Sequence, residues 1–273
     1  MKNVTHRLRF FPGTALVVLL AAAGSAAAHQ QWLAPSLHIQ SGDSGWISFD
    51  HTFGDVRFRP ASGPGSYYSW WFVGPDGLRR NVPHLFLGKT RTVGEFELTE
   101  PGTYRLEAVE DLMPWTRIKI DGEETWQPGD RSDFAGAEIV RSRVYFNKSV
   151  SYVTLEKTSD KAVEATGDPL EIVFTDHPNN LRAGETVQIR VLASGKPLAE
   201  QKVDVFSEQS EGHDASTSCT TGASGSCDLT ALPRGRYLLA TSVQGDSPDN
   251  AATDSFSHSY SVVIEVRASE AGD

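Results

Sequence analysis

The sequence predicts an all-β protein: two immunoglobulin-like β-sandwich domains after a cleaved signal peptide. Three observations carry this expectation. No long stretch shows helical periodicity, and short runs of strand-type residues recur between Gly, Pro, Asn and Asp. Turn signals separate them at fairly even spacing, as in "GPDG" (74–77), "EPG" (100–102), "DG" (121–122), "RAGE" (182–185) and "SGKP" (194–197). Finally, "LTEPGTYRLEA" (98–108) and "LTALPRGRYLLA" (229–240) share one order: Leu-Thr, then Pro, then Gly-x-Tyr leading into an apolar strand. That is how an immunoglobulin-type tyrosine corner begins, with the Tyr hydroxyl bonding back to nearby backbone.

Residues 1–28 have the layout of a secretory leader. Lys2, Arg7 and Arg9 give it a positive start, Ala15 to Ala23 an apolar run, and "SAAA" the small residues of a cleavage site. The apolar run is shorter than the ~20 residues of a membrane-spanning helix. Cleavage after Ala28 is expected to deliver the chain to a periplasm, with no membrane insertion of the mature protein. The leader holds three of the 25 basic residues and none of the 35 acidic ones, so the remainder carries a net charge of −13. Such an acidic surface argues against nucleic acid or an anionic membrane as partner.

Strand-type segments then follow in order: 46–53, 66–73, 93–99, 103–109, 116–120 and 150–156 in a first domain spanning 29–160. A second domain, 168–268, holds 170–174, 186–193, 202–208, 227–232, 236–243 and 260–266. The weakly hydrophobic passage 156–169 is the expected join, and the polar passages 207–218 and 244–257 read as long loops. Cys219 and Cys227 bracket the Gly/Ser-rich turn "TTGASGS", and in an exported chain such a pair reads as a disulfide.

The segments "GKPLAEQKVDVF", "TGASGSCDLTALPRGRYLL", "AHQQWLAPS" and "DHTFGDVRF" resemble, in their order and spacing, the exported periplasmic-component family associated with cobalt and nickel uptake systems. The resemblance implies a non-enzymatic accessory of metal uptake or handling. Its partner would be an inner-membrane transporter or an outer-membrane receptor system.

The residues themselves offer one route to such chemistry. Cleavage after Ala28 makes His29 the new N-terminus. Its α-amine and Nδ1 then form a chelate suited to copper or nickel first, and cobalt or zinc next. No histidine pair has a local chelating spacing, so further imidazoles must be brought in by the fold; His51 ranks first, followed by His258 and His84. All six tryptophans fall in the first domain, and Trp32, Trp70 and Trp71 suggest a stacking platform for a sugar, a metal chelate or another small ligand. The competing expectation for "SYYSWWFV" is a core strand with alternate residues inside. No "GxSxG", "HExxH" or P-loop pattern is present, so no catalytic residues are assigned. Two alternatives stand beside metal handling: a ligand-binding module built on the aromatic first domain, and a structural adaptor docking through a sheet edge.

Overall fold

The computed structural model describes residues 30–63, 67–210, 212–247 and 252–269. The first part of the chain forms β1 (Gln30–Pro35), β2 (Ile39–Gln40), β3 (Gly45–Gly54), β4 (Ser69–Val73), β5 (Arg79–Asn81), β6 (His84–Leu87), β7 (Thr92–Leu98), β8 (Gly102–Ile120), β9 (Glu123–Pro128) and β10 (Glu138–Leu155). The remainder forms β11 (Glu171–Phe174), β12 (Val187–Ala193), β13 (Lys196–Pro197), β14 (Lys202–Ser207), β15 (Thr217–Thr220), β16 (Ser226–Leu229), β17 (Gly235–Asp246) and β18 (Ser255–Val266). Helix is confined, among the described residues, to short 3-10 turns at Arg131–Phe134 and Lys161–Val163. The all-β expectation holds.

Three sheets result. A ten-stranded sheet runs β15-β14-β17-β18-β10-β8-β4-β5, with β2 added on β10 and β9 on β8. One four-stranded sheet, β1-β3-β7-β6, covers one of its faces, and another, β11-β12-β13 with β16 on β12, covers the opposite face. Alternation along β10 explains both contacts. Val153 and Leu155 point into a core with Leu33, Ile47 and Phe96, whereas Val150 and Tyr152 point into a core with Ile172 and Ile189. Sandwich packing thus occurs twice, on opposite faces of one shared sheet.

The two halves are joined through that sheet. Strand β10 pairs in parallel with β18, from Arg143↔Ser255 to Ser151↔Val263. A third cluster, Trp32 with Phe206, Leu238, Ala240 and Val263, closes the joint with an aromatic ring from the first strand. Passage 156–169 packs instead of hanging free. Ala162 is fully buried, and the Arg105 guanidinium donates to the carbonyls of Ala162 (2.8 Å) and Glu164 (3.2 Å). The polar passage 244–257 is shorter as a loop than expected, because β17 reaches Asp246 and β18 starts at Ser255; a ladder from Gly235↔Val266 to Asp246↔Ser255 claims its ends.

Local turn chemistry matches the sequence closely. The Tyr104 hydroxyl donates to the Glu100 carbonyl at 2.9 Å and the Tyr237 hydroxyl to the Pro233 carbonyl at 2.9 Å, so both Gly-x-Tyr passages are tyrosine corners. Asp121 and Gly122 take φ values of 51° and 87°, the two left-handed positions of a type I′ hairpin joining β8 to β9.

The Cys219–Cys227 disulfide is present, with Cα atoms 5.9 Å apart, and it ties β15 of the ten-stranded sheet to β16 of the outer one. Closing so short a loop restricts the unfolded chain by about 2–3 kcal/mol. The Cys219→Ser/Cys227→Ser double variant is expected to lose that much in denaturant unfolding, and the reduced wild type should match it.

Candidate functional site

Strand β8 is 19 residues long and changes phase part-way. Its ladder with β10 pairs Glu110 with Asn147 but Met113 with Tyr145, so one extra residue sits in β8. Leu112 lies there with φ of 44°, in the left-handed region, and is 52% exposed. In a regular strand Glu110 and Trp115, five positions apart, face opposite ways. The bulge puts them on one side, and the Trp115 indole N–H donates to Glu110 Oε1 at 3.0 Å.

Around that pair lies a recess of about 240 Å³ lined by Glu110, Trp115, Trp126, Tyr145 and Asn147. Strand β9 supplies Trp126, set edge-on to Tyr145 at 6.4 Å between ring centroids, and Tyr67 stands edge-on to Trp115 at 4.9 Å. Glu110 is only 6% exposed, although it forms the floor of the recess. Its carboxylate also accepts from Asn147 Nδ2 (2.5 Å) and from the Tyr68 hydroxyl (3.4 Å). Asn147 is oriented in turn by the Ser259 hydroxyl, which donates to its Oδ1 at 2.5 Å. Burial, with Glu110 beside it, pushes the Tyr68 phenol up, so Tyr68 remains a donor.

Behind Tyr68 the polar chain enters the core. The His51 and Tyr68 rings are 4.9 Å apart, and the Trp70 indole N–H donates to His51 Nδ1 at 3.1 Å. That contact fixes His51 as the Nε2–H tautomer, which faces Gln31 Oε1 at 3.4 Å. His51 is fully buried, and burial lowers its pKa to about 3. It is a neutral core group.

Of the residues expected to hold a metal, the described ones, His51, His84 and His258, form no group able to do so. His29 lies outside the described residues. His51 already has Nδ1 occupied by Trp70, His84 is exposed with its ring 5.7 Å from Trp46, and half-buried His258 lies between Phe256 (4.8 Å) and Phe146 (6.1 Å). Among the described residues, no three His, Cys, Asp or Glu side chains form a group able to hold a metal ion.

The aromatic platform also needs correction in its members. Trp32 and Trp70 are 2% and 7% exposed, because each lies on the inward phase of its strand and fills core. Trp71 faces the other way, with the Arg79 guanidinium 4.4 Å from its ring centroid. Open aromatic surface lies elsewhere: Trp46, Tyr67, Phe86 and Trp126 are exposed, and Trp115 and Tyr145 are half-buried beside Trp126. Sequence reasoning passed over Glu110, yet it continues the inward series Tyr104, Leu106, Ala108 and so sits where a carboxylate needs a reason to be.

Comparison with known proteins adds the family and little else. No curated protein matches the chain. Solved structures with some likeness include the D0-D1 domain of Intimin (13% identity, 86% of this chain and 97% of that one, TM-score 0.21) and the human OSCAR ligand-binding domain (14%, 87% and 99%, TM-score 0.22). A DUF3823 family protein from Bacteroides uniformis is similar at 11% identity, over 87% of this chain and 100% of the other, with a TM-score of 0.24. The family model for a domain of unknown function, DUF4198, matches residues 26–245, and nothing in that match links it to cobalt or nickel uptake. The match spans most of the sequence, both halves included, and on that ground the chain belongs to the DUF4198 family.

Proposed function

We propose that this protein is an exported, non-catalytic binding module that holds a small ligand in the recess beside the β8 bulge. One observation supports this most: five side chains from three strands converge on the recess, and its carboxylate and amide are held in place by hydrogen bonds from behind. Small-molecule sites have this character, apolar walls with a few fixed polar groups, and bulges often mark them. Export rests on the leader-like residues 1–28 and on the disulfide. A membrane transporter or receptor system is the kind of partner that would receive the ligand. Among the described residues, no helix is long and apolar enough to cross a membrane.

Intrinsic tryptophan fluorescence tests the reading. The purified protein is titrated with small organic cations, neutral sugars and Cu(II) or Ni(II) salts and chelates. One class is expected to change the emission saturably, and Trp126→Ala should remove the change. If no class does so, the recess is not a binding site. Metal handling through His29 is the competing result: Cu(II) or Ni(II) binding that Trp126→Ala leaves intact and that an extra residue ahead of His29 abolishes.

A further inference from the structure

We propose that the recess takes a small organic cation, a quaternary or methylated ammonium, held by the Glu110 charge and the surrounding aromatic faces. This inference rests on the ligand-binding reading above and names the ligand's chemistry.

The argument begins with what Glu110 lacks. A buried carboxylate is costly unless a positive charge accompanies it. Its three partners, the Trp115 indole, the Asn147 amide and the Tyr68 phenol, are all neutral donors. They supply hydrogen bonds to its oxygens but no positive charge. Glu107, on the opposite face of the same strand, shows the contrast, because Arg79, Arg105 and Lys148 all contact it.

The hydrogen-bonding state of the walls then selects among ligands. Asn147 spends Nδ2 on Glu110 and Oδ1 on Ser259, while the Trp115 N–H is turned onto Glu110. A sugar needs several donors and acceptors for its hydroxyls, and Asn147 and Trp115 have most of theirs engaged. A methylated ammonium needs none: it is attracted by a fixed negative charge and by π faces, and Trp and Tyr are the best such faces. The wall already draws a cation from the protein itself, since the Arg143 guanidinium lies 5.8 Å from the Tyr145 ring centroid while its Nε reaches Ser255 Oγ. A volume of about 240 Å³ restricts the ligand to a small head group.

Choline and its uncharged carbon isostere 3,3-dimethylbutan-1-ol separate charge from shape. Calorimetric titration of the purified protein is expected to give choline at least about tenfold higher affinity than the alcohol, a difference within the range of desolvated cation–π contacts. Glu110→Gln retains an acceptor for Trp115 and should erase that preference, and Trp126→Ala, at an exposed position, should weaken choline about fivefold or more. Equal binding of choline and the alcohol, or binding of a neutral methyl glucoside in place of choline, overturns the cation inference and leaves the recess as a ligand site. Absence of binding by all three, together with a silent fluorescence panel, overturns both.

Discussion

Glu107→Ala is expected to destabilise the protein by about 3–5 kcal/mol, the usual cost of removing one member of a buried ion cluster. The Glu107 side chain is 1% exposed and accepts from Arg105 Nε at 2.8 Å, Lys148 Nζ at 2.8 Å and Arg79 Nε at 2.9 Å. Burial pushes its carboxyl up, but Lys148 and Arg105 outweigh burial and bring it down to about 2. Truncation leaves Arg105 and Lys148, 8% and 4% exposed, with Asp168 and two backbone carbonyls between them. Those carbonyls belong to the passage that joins the two halves, so the joint should loosen as well. Urea unfolding measures the loss, and Glu124→Ala, which removes an exposed partner of Arg117, should cost less than about 1 kcal/mol. Equal losses at the two positions would show that the buried cluster has no special weight.

The second large effect is acid sensitivity. His51 and His38 are both buried as neutral imidazoles; burial lowers their pKa values to about 3 and about 4, from an ordinary 6.5. The His38 Nδ1–H donates to the Tyr152 carbonyl at 2.9 Å. Between pH 6.5 and 4 the unfolded chain binds protons at these two sites and the folded chain does not. The stability they contribute is therefore complete above 6.5 and is lost as the pH falls through the folded values. Two such groups impose a slope of about 3 kcal/mol per pH unit, to which His177 and His258, also lowered by burial, add; over two units that is comparable with the stability of many domains. Below 4.5 Glu107, lowered in the folded state, begins to act in the same direction. Unfolding free energies should fall by about half that slope between pH 7 and 6 and by nearly all of it between pH 6 and 5, and His51→Gln, though less stable at pH 7, should take about 1 kcal/mol per pH unit off the lower interval. An unchanged slope in that variant would mean that His51 is not buried as a neutral group.

What could be read from the sequence was mostly local. The tyrosine corners at Tyr104 and Tyr237, the Asp121–Gly122 hairpin turn and the Cys219–Cys227 bridge each depend on residues close in sequence, and each is where its pattern placed it. Long-range pairing left weaker marks. The first two-thirds of β10, "EIVRSRVYFNKS", carries polar residues on both phases because its neighbours supply partners: Ser149 meets Ser261 at 2.8 Å, and Lys148 meets Glu107. Its parallel pairing with β18 joins residues more than a hundred positions apart, and no local signal encodes that.

The site was hidden for a related reason. Strict alternation separates Glu110 from Trp115, and only the residue added at Leu112 reunites them. Pro114 was the available clue, since proline inside a strand is tolerated at edges and bulges. His51 was more legible than its ranking as a ligand implied, for Ile47, Phe49 and His51 share one phase, and that phase is the core.

Residue-resolved ligand titration tests the central claim most directly. In 15N-labelled protein, the indole N–H resonances of Trp115 and Trp126 should shift saturably with choline, while those of Trp32 and Trp70, enclosed in the core, stay in place. Shifts confined to Trp32 or Trp70, or none at any tryptophan with any of the ligands above, would contradict a binding recess at the β8 bulge.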